Sequence, residues 1–131
     1  MKYLVDTGVL IHNLIAQPKL NRRALELLAD NSSELYLSAA SSWEITIKAG
    51  TGKLMLPERP SEFVIRAIQL MSLQSLDITH SHVAALEGLP NYHRDPFDRM
   101  LIAQARTEGL VLLTADRNFE KYAVEMFWCG I

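Results

Sequence analysis

"KYLVDTGVLIHNLI", residues 2–15, decides the fold. Residues 2–5 are a short apolar run that stops at Asp6-Thr7-Gly8, as a buried strand running into a loop does, and the "VLIHNLI" that follows reads as a helix. A carboxylate that abuts a buried strand is costly unless it is paired or coordinated. The same stretch therefore sets the start of an alternating strand and helix pattern and marks Asp6 as a candidate functional residue.

The alternation continues along the chain. Pro18 separates the first helix from "NRRALELLADN", in which Ala24, Leu25, Leu27 and Leu28 form an apolar stripe. "ELYLS" is a second strand, and "SAASSWEITIKAG" is a helix with Ser at its start and Gly50 at its end. "TGKLMLPERP" is a loop, "SEFVIRAIQLM" an amphipathic helix with Ser at its N-terminus, and "LQSLDI" a weak strand. "THSHVAALEGLP" gives a short helix ended by Gly88 and Pro90, with its histidines read as surface residues. A helix over about 96–107, ended by Gly109, feeds "LVLLT", the clearest strand; "ADRNFEKYA" gives a turn and helix, and "EMFW" a last strand. These elements imply an α/β class with a mostly parallel central sheet flanked by helices, in one domain spanning 1–131.

Bulk properties narrow the function. The 131 residues are 49% hydrophobic and 21% charged with a net charge of −2, so there is no overall basic footprint for nucleic acid, and any such contact must be local or helped by cations. No run reaches the roughly 18–20 apolar residues that span a bilayer. Asp6 interrupts the N-terminal apolar run and no small-residue cleavage site follows it, so a signal peptide is not expected. The single cysteine, Cys129, cannot close an internal disulfide and reads as a packing residue. The expectation is a cytoplasmic protein without membrane association.

In parallel α/β sheets ligands gather beyond the carboxyl ends of the strands. Asp6 follows the first strand, Asp116 follows "LVLLT" by two residues, and Asp98 starts the helix feeding that strand, while Glu44 lies in the helix after the second strand. Some of these acids have an ordinary structural reading, Glu44 as an exposed partner of Lys48 at i,i+4 and Asp116, like Asp95 near Asp98, as a helix cap. Asp6 beside a buried strand is harder to explain that way. Together they place at least four carboxyls near one sheet edge, and anions so close must take up protons unless cations sit between them. Oxygen-only donors suit Mg²⁺ or Mn²⁺, and such ions promote phosphodiester hydrolysis. The four histidines lack zinc-ligand spacing.

Four segments, "YLVDTGVLI", "SSWEITIKAGTGKL", "HRDPFDRMLIAQA" and "LLTADRNFEKY", occur in an order and at separations that resemble PIN-domain ribonucleases of the VapC type, the toxins of type II toxin–antitoxin systems. The resemblance covers essentially the whole chain. It implies a PIN-like three-layer α/β fold and a metal-dependent endoribonuclease acting on tRNA, rRNA or mRNA. It also implies homodimerisation and inhibition by a cognate antitoxin. Its acidic quartet falls on Asp6, Glu44, Asp98 and Asp116, expected to hold one or two Mg²⁺ or Mn²⁺ ions; no organic cofactor is implied. Asp95, Thr7 and Thr114 are auxiliary candidates at the site. Arg94, Arg99, Arg117 and Lys48 are candidates for contacts to RNA phosphates, and Trp43 for stacking on a base, against core or dimer packing.

Three other readings explain parts of the sequence. Asp6-Thr7-Gly8 also resembles the active-site element of retroviral-type aspartic proteases, but that predicts an all-β chain, against the helical segments. A phosphoryl-transfer site like that of haloacid-dehalogenase-like enzymes would need an acid where this chain has Gly8. A non-catalytic PIN-like module that only binds RNA or protein is the remaining alternative.

Overall fold

The computed structural model describes residues 1–131. Five parallel strands form one sheet in the order β3-β2-β1-β4-β5: β1 (Lys2–Val5), β2 (Glu34–Ser38), β3 (Gln74–Leu76), β4 (Val111–Thr114) and β5 (Met126–Trp128). The helices are α1 (Thr7–Ile15), α2 (Arg22–Ala29), α3 (Ala39–Gly50), α4 (Pro60–Met71), α5 (His80–Ala85) and α6 (Pro96–Glu108). All the strands expected from the sequence are present, and the sheet is parallel throughout.

Side chains alternate across the sheet and create two apolar layers. On one face Val5, Leu35, Leu37 and Leu113 pack with Val9 and Leu10 of α1, Ala24 and Leu28 of α2, and Phe63 and Ala67 of α4. On the other, Leu4 and Leu112 pack against Leu101, Ile102 and Ala105 of α6 and against Phe119. Helices on both faces are what a parallel sheet requires, because neither side can face water.

Four local expectations need correction. Residues Gln17–Lys19, read only as a break at Pro18, form a 3-10 turn. Helix α4 begins one residue before Ser61, with Pro60 at its first position, where the missing N–H costs nothing. The "ADRNFEKYA" segment makes a 3-10 helix over Arg117–Lys121, too short for an α-helix. His82 is not at the surface: its side chain is fully buried, caps α5 by accepting from Thr79 N at 3.0 Å, and lies 2.7 Å from Glu108. Only its neighbour His80 is exposed. Cys129 is buried as expected; burial and the nearby Asp6 carboxylate push its thiol up to about 12, which leaves it unreactive. No helix is long and apolar enough to cross a membrane.

The strand order places the site. From β1 the chain moves to β2 on one side, and from β4 to β5 on the other, while β1 and β4 are themselves neighbours. The connections therefore diverge above the carboxyl ends of β1 and β4, leaving a crevice at this switch point. Asp6 leaves β1 and Asp116 leaves β4 at that place.

Candidate metal centre

Backbone geometry fixes the first acid. Asp6 N donates to Leu113 O at 3.0 Å, extending the β1–β4 ladder by one residue, and Asp6 O accepts from Leu10 N at 3.0 Å as α1 begins. The side chain is thereby held at the sheet edge, 7% exposed, and receives a hydrogen bond from Thr114 Oγ1 at 2.8 Å. Thr114 Oγ1 in turn accepts from Asp116 N at 3.0 Å, so one buried hydroxyl ties the two strand-end acids together. Asp116 also caps the following 3-10 helix through Asn118 N at 2.9 Å. Capping uses Oδ1, and Oδ2 points toward His93.

Helix α6 brings the third acid. Asp95 is its N-cap, with Oδ1 accepting from Phe97 N at 2.8 Å and Asp98 N at 3.5 Å. Those two amides are therefore not free to hold a phosphate at the helix N-terminus. Asp98 sits one turn in, and Gly109, at φ 67°, closes the helix in the left-handed conformation that suits glycine. Helix α3 is capped by Ser38, accepting from Ala40 N at 3.0 Å, and carries Glu44 inward. Glu44 is 6% exposed, so the expectation of an exposed glutamate fails although the partner is right: Oε2 pairs with Lys48. The other oxygen, Oε1, is buried with no hydrogen-bond partner.

The carboxyls strain against one another. Burial first, and then the charges of Glu44 and Asp116, push Asp6 up to about 7, against the Thr114 hydrogen bond that favours its ionised form. Burial, followed by the charges of Asp6, Asp95, Glu44 and Asp116, pushes Asp98 up to about 8. Burial alone would lower Lys48, but its hydrogen bond to Glu44 and the charges of Glu44 and Asp95 raise it above the ordinary lysine value. Oxygens of Glu44, Asp95 and Asp98 lie within 4.8 Å of one another, and so do the donor atoms of His93, Asp98 and Asp116, with Asp98 common to both groups. Carboxyls that burial and mutual repulsion push up to near-neutral values, a buried carboxylate oxygen without a donor, and a hard oxygen donor set fit a divalent cation.

The auxiliary candidates fall differently. Thr114 bridges two acids, whereas Thr7 Oγ1 donates to Ser41 Oγ at 2.9 Å and ties α1 to α3. Arg99 does not face the acids: it bonds Pro90 O at 2.9 Å, Leu89 O at 3.3 Å and Asn91 Oδ1 at 3.4 Å, clamping the loop before α6. Arg117 pairs with Glu120 at 2.6 Å and lies 3.5 Å over the Trp128 ring. Lys48 is held by Glu44 and, at 3.5 Å, by Asp95. Arg94 is exposed and enters no such pair. Trp43 is not in the core; the residue is 58% exposed and its ring meets Phe97 edge-on at 5.0 Å.

Sequence reasoning missed His93, which is 7% exposed and lies against Asp116. Its position two residues before Asp95 and five before Asp98 was the available signal.

The Thr114 bridge can be tested by Thr114→Val, which keeps the volume and removes both hydrogen bonds. We expect a loss of about 1–3 kcal/mol in chemical denaturation. Titration with Mn²⁺ should show affinity falling about tenfold or more, as when hydrogen bonds supporting a metal ligand are lost. Unchanged affinity would mean that Asp6 and Asp116 are placed without this hydroxyl.

The family profile described as PIN domain matches residues 3–125. The chain is 26% identical over 129 residues to a tRNA(fMet)-specific endonuclease VapC of Shigella flexneri, covering 92% of each chain. Over a shorter stretch of 58 residues, 44% of this chain and 41% of the relative, it is 34% identical to ribonuclease VapC16 of Mycobacterium tuberculosis. Among solved structures, that of VapBC2 from Rickettsia felis bound to a DNA fragment from its promoter superimposes with a TM-score of 0.74 at 19% identity, covering 99% of this chain and 100% of the other.

Proposed function

This chain belongs to the PIN-domain family, and on that premise we propose that it is a divalent-metal-dependent endoribonuclease, the toxin of a type II toxin–antitoxin pair. One observation carries the reading: Asp6, Glu44, Asp98 and Asp116 converge above the switch point with two carboxyls pushed up to about 7 and about 8 and one buried oxygen unpaired. A divalent cation would offset the repulsion in that arrangement and give the unpaired oxygen a partner. The named VapC nucleases extend the same reading to RNA as substrate.

In this reading Asp6, Glu44, Asp98 and Asp116 hold the ion. When bound, it supplies positive charge to a scissile phosphate and acidifies water. The protein's residues do the rest. Asp6 and Asp98 would each release the proton that burial and repulsion keep on them, and Thr114 stabilises the ionised form of Asp6. Lys48 holds Glu44 Oε2 and Asp95 and keeps the cluster from being uniformly negative. Of the four basic candidates only Arg94 stands free for an RNA phosphate, and the exposed Trp43 ring beside Glu44 offers a stacking face for a base. A cognate antitoxin and a second copy of the chain are the proposed protein partners. Exposed Ile47 of α3 and Ile65 and Leu70 of α4 provide apolar area for such contacts. The whole of 1–131 acts as one domain in this scheme.

The direct test is cleavage of a mixed tRNA and rRNA pool by purified, antitoxin-free protein with Mg²⁺ or Mn²⁺. Discrete cuts that need metal and vanish with EDTA and in Asp6→Asn are expected. Folded protein that binds RNA without cutting it would favour the binding-only module, and cutting that survives EDTA would overturn the metal-dependent reading.

A further inference from the structure

We propose that His93 is itself a ligand of the divalent ion, through Nε2, and that this nitrogen donor turns the site's preference from Mg²⁺ toward Mn²⁺. The inference rests on reading the acidic cluster as a cation site and adds a donor of a different chemical kind.

The position of the ring is the first argument. His93 Nε2 and oxygens of Asp98 and Asp116 lie within 4.8 Å of one another, and His93 is 7% exposed. The Nε2 to Asp116 Oδ2 distance is 3.4 Å, outside the 2.7–3.2 Å of a well-formed N–H···O bond. It matches two donors sharing an ion: atoms each about 2.1 Å from a cation and about 90–110° apart are separated by roughly 3.0–3.4 Å.

The second argument is what holds the ring. Tyr122, 5% exposed, places its hydroxyl oxygen 2.7 Å from His93 N and 3.2 Å from Nδ1. The imidazole stacks on Tyr122 with centroids 5.4 Å apart and lies 4.8 Å from the Phe119 centroid. The backbone N–H donates to the phenol oxygen, and in the tautomer that the proposal assigns, Nδ1–H donates to its second lone pair. That tautomer leaves the Nε2 lone pair facing Asp98 and Asp116. A histidine whose other nitrogen donates to a buried oxygen is the usual arrangement of a metal-bound imidazole. The contacts with the Phe119 and Tyr122 rings would be met by any planar ring; what sets the imidazole apart is Nε2, which faces Asp98 and Asp116.

The chemical consequence follows from donor type. Mg²⁺ prefers oxygen ligands and gives up water reluctantly, whereas nitrogen donors strengthen binding of first-row transition ions relative to it. A lone imidazole among carboxylates therefore separates two ions that an all-oxygen site would hold more evenly.

Pulsed electron paramagnetic resonance of the full chain loaded with Mn²⁺ reads the contact without any mutation. Hyperfine coupling to one imidazole ¹⁴N is expected. His93→Gln should abolish it and lower Mn²⁺ affinity about tenfold while moving Mg²⁺ affinity less than about threefold, measured by calorimetry. Tyr122→Phe should keep the ¹⁴N coupling and weaken Mn²⁺ binding by a smaller factor. Bound Mn²⁺ with no ¹⁴N coupling would overturn the proposal and leave the carboxylate site standing. An equal fall in affinity for both ions in His93→Gln would overturn it in favour of a residue that merely positions Asp116. Failure of either ion to bind would remove the cation site and this proposal with it.

Discussion

Asp98→Asn is expected to abolish metal-dependent RNA cleavage, by about 10³-fold or more, and yet to make the metal-free protein more stable at pH 8. The first effect follows from the position of Asp98: it belongs to both groups of close donor atoms, with Glu44 and Asp95 on one side and His93 and Asp116 on the other. Removing a shared ligand costs several kcal/mol of transition-state stabilisation, and about 1.4 kcal/mol is a factor of ten in rate. The second effect follows from what crowds the side chain. Burial, and the charges of Asp6, Asp95, Glu44 and Asp116 after it, push Asp98 up to about 8, so at pH 8 its ionised form is held under repulsion. Asparagine carries no charge to repel. Because Asp98 is only partly buried and water screens part of the interaction, the expected gain is about 1–2 kcal/mol, measured by denaturant titration in EDTA. Below pH 4 wild type and variant should be equal, since the carboxyl is then neutral in both the folded and the unfolded chain.

Opposite signs on activity and stability separate a functional acid from a structural one. If Asp98 served only to favour the start of α6, asparagine there would leave cleavage intact and cost about 0.3–1 kcal/mol of helix-dipole stabilisation. An Asp98→Asn protein that still cuts RNA, or that is less stable than wild type at pH 8 without metal, would return Asp98 to that structural role. Asp95 is the internal contrast. Its Oδ1 is committed to the N-cap, so Asp95→Asn, which preserves an accepting oxygen, should lose far less activity than Asp98→Asn.

The strands and most of the acidic site were legible in the sequence because their signals are local and periodic. "KYLV" and "LVLLT" are apolar runs with clear ends, and the switch-point rule places Asp6 and Asp116 together once those strands pair in parallel. What the sequence hid depends on direction and on distant partners. Arg99 adjoins Asp98, but adjacent residues on a helix point about 100° apart, so its guanidinium swings to the loop at 89–91. Arg117 adjoins Asp116 and is turned away by Glu120 and the Trp128 ring. His93 lies in an irregular stretch with no periodicity to read, and its ring is set by Tyr122, 29 residues later. His82 looked superficial because a polar triplet on a short helix ordinarily faces water. Its burial rests on Glu108 and Gln104 of α6, contacts that only the packing of α5 on α6 creates.

The pH dependence gives the second large effect. Asp6 is pushed up to about 7, by burial and then by Glu44 and Asp116, and Asp98 up to about 8, whereas both carboxyls in an unfolded chain titrate near 3.8. Below about pH 4 each is protonated in both states, so neither disfavours folding. Between about pH 4 and 8 the unfolded chain has released both protons while the folded chain still binds them, and the unfolded state binding fewer protons means that stability falls as pH rises. The loss is complete once pH passes the folded values of about 7 and about 8. Metal-free protein should therefore be more stable at pH 5 than at pH 8, by an amount on the order of 2–4 kcal/mol after allowing for screening at Asp98. A divalent ion must displace those same protons, so its affinity should climb between pH 6 and 8, and saturating Mn²⁺ should flatten the stability profile. Calorimetric titration at pH 7 in two buffers of different ionisation enthalpy counts the protons directly, with release of about one to two per site loaded. Metal-free stability that rises from pH 5 to 8, or binding that releases no proton, would show that Asp6 and Asp98 are already ionised in the folded chain and that Lys48 alone balances the cluster.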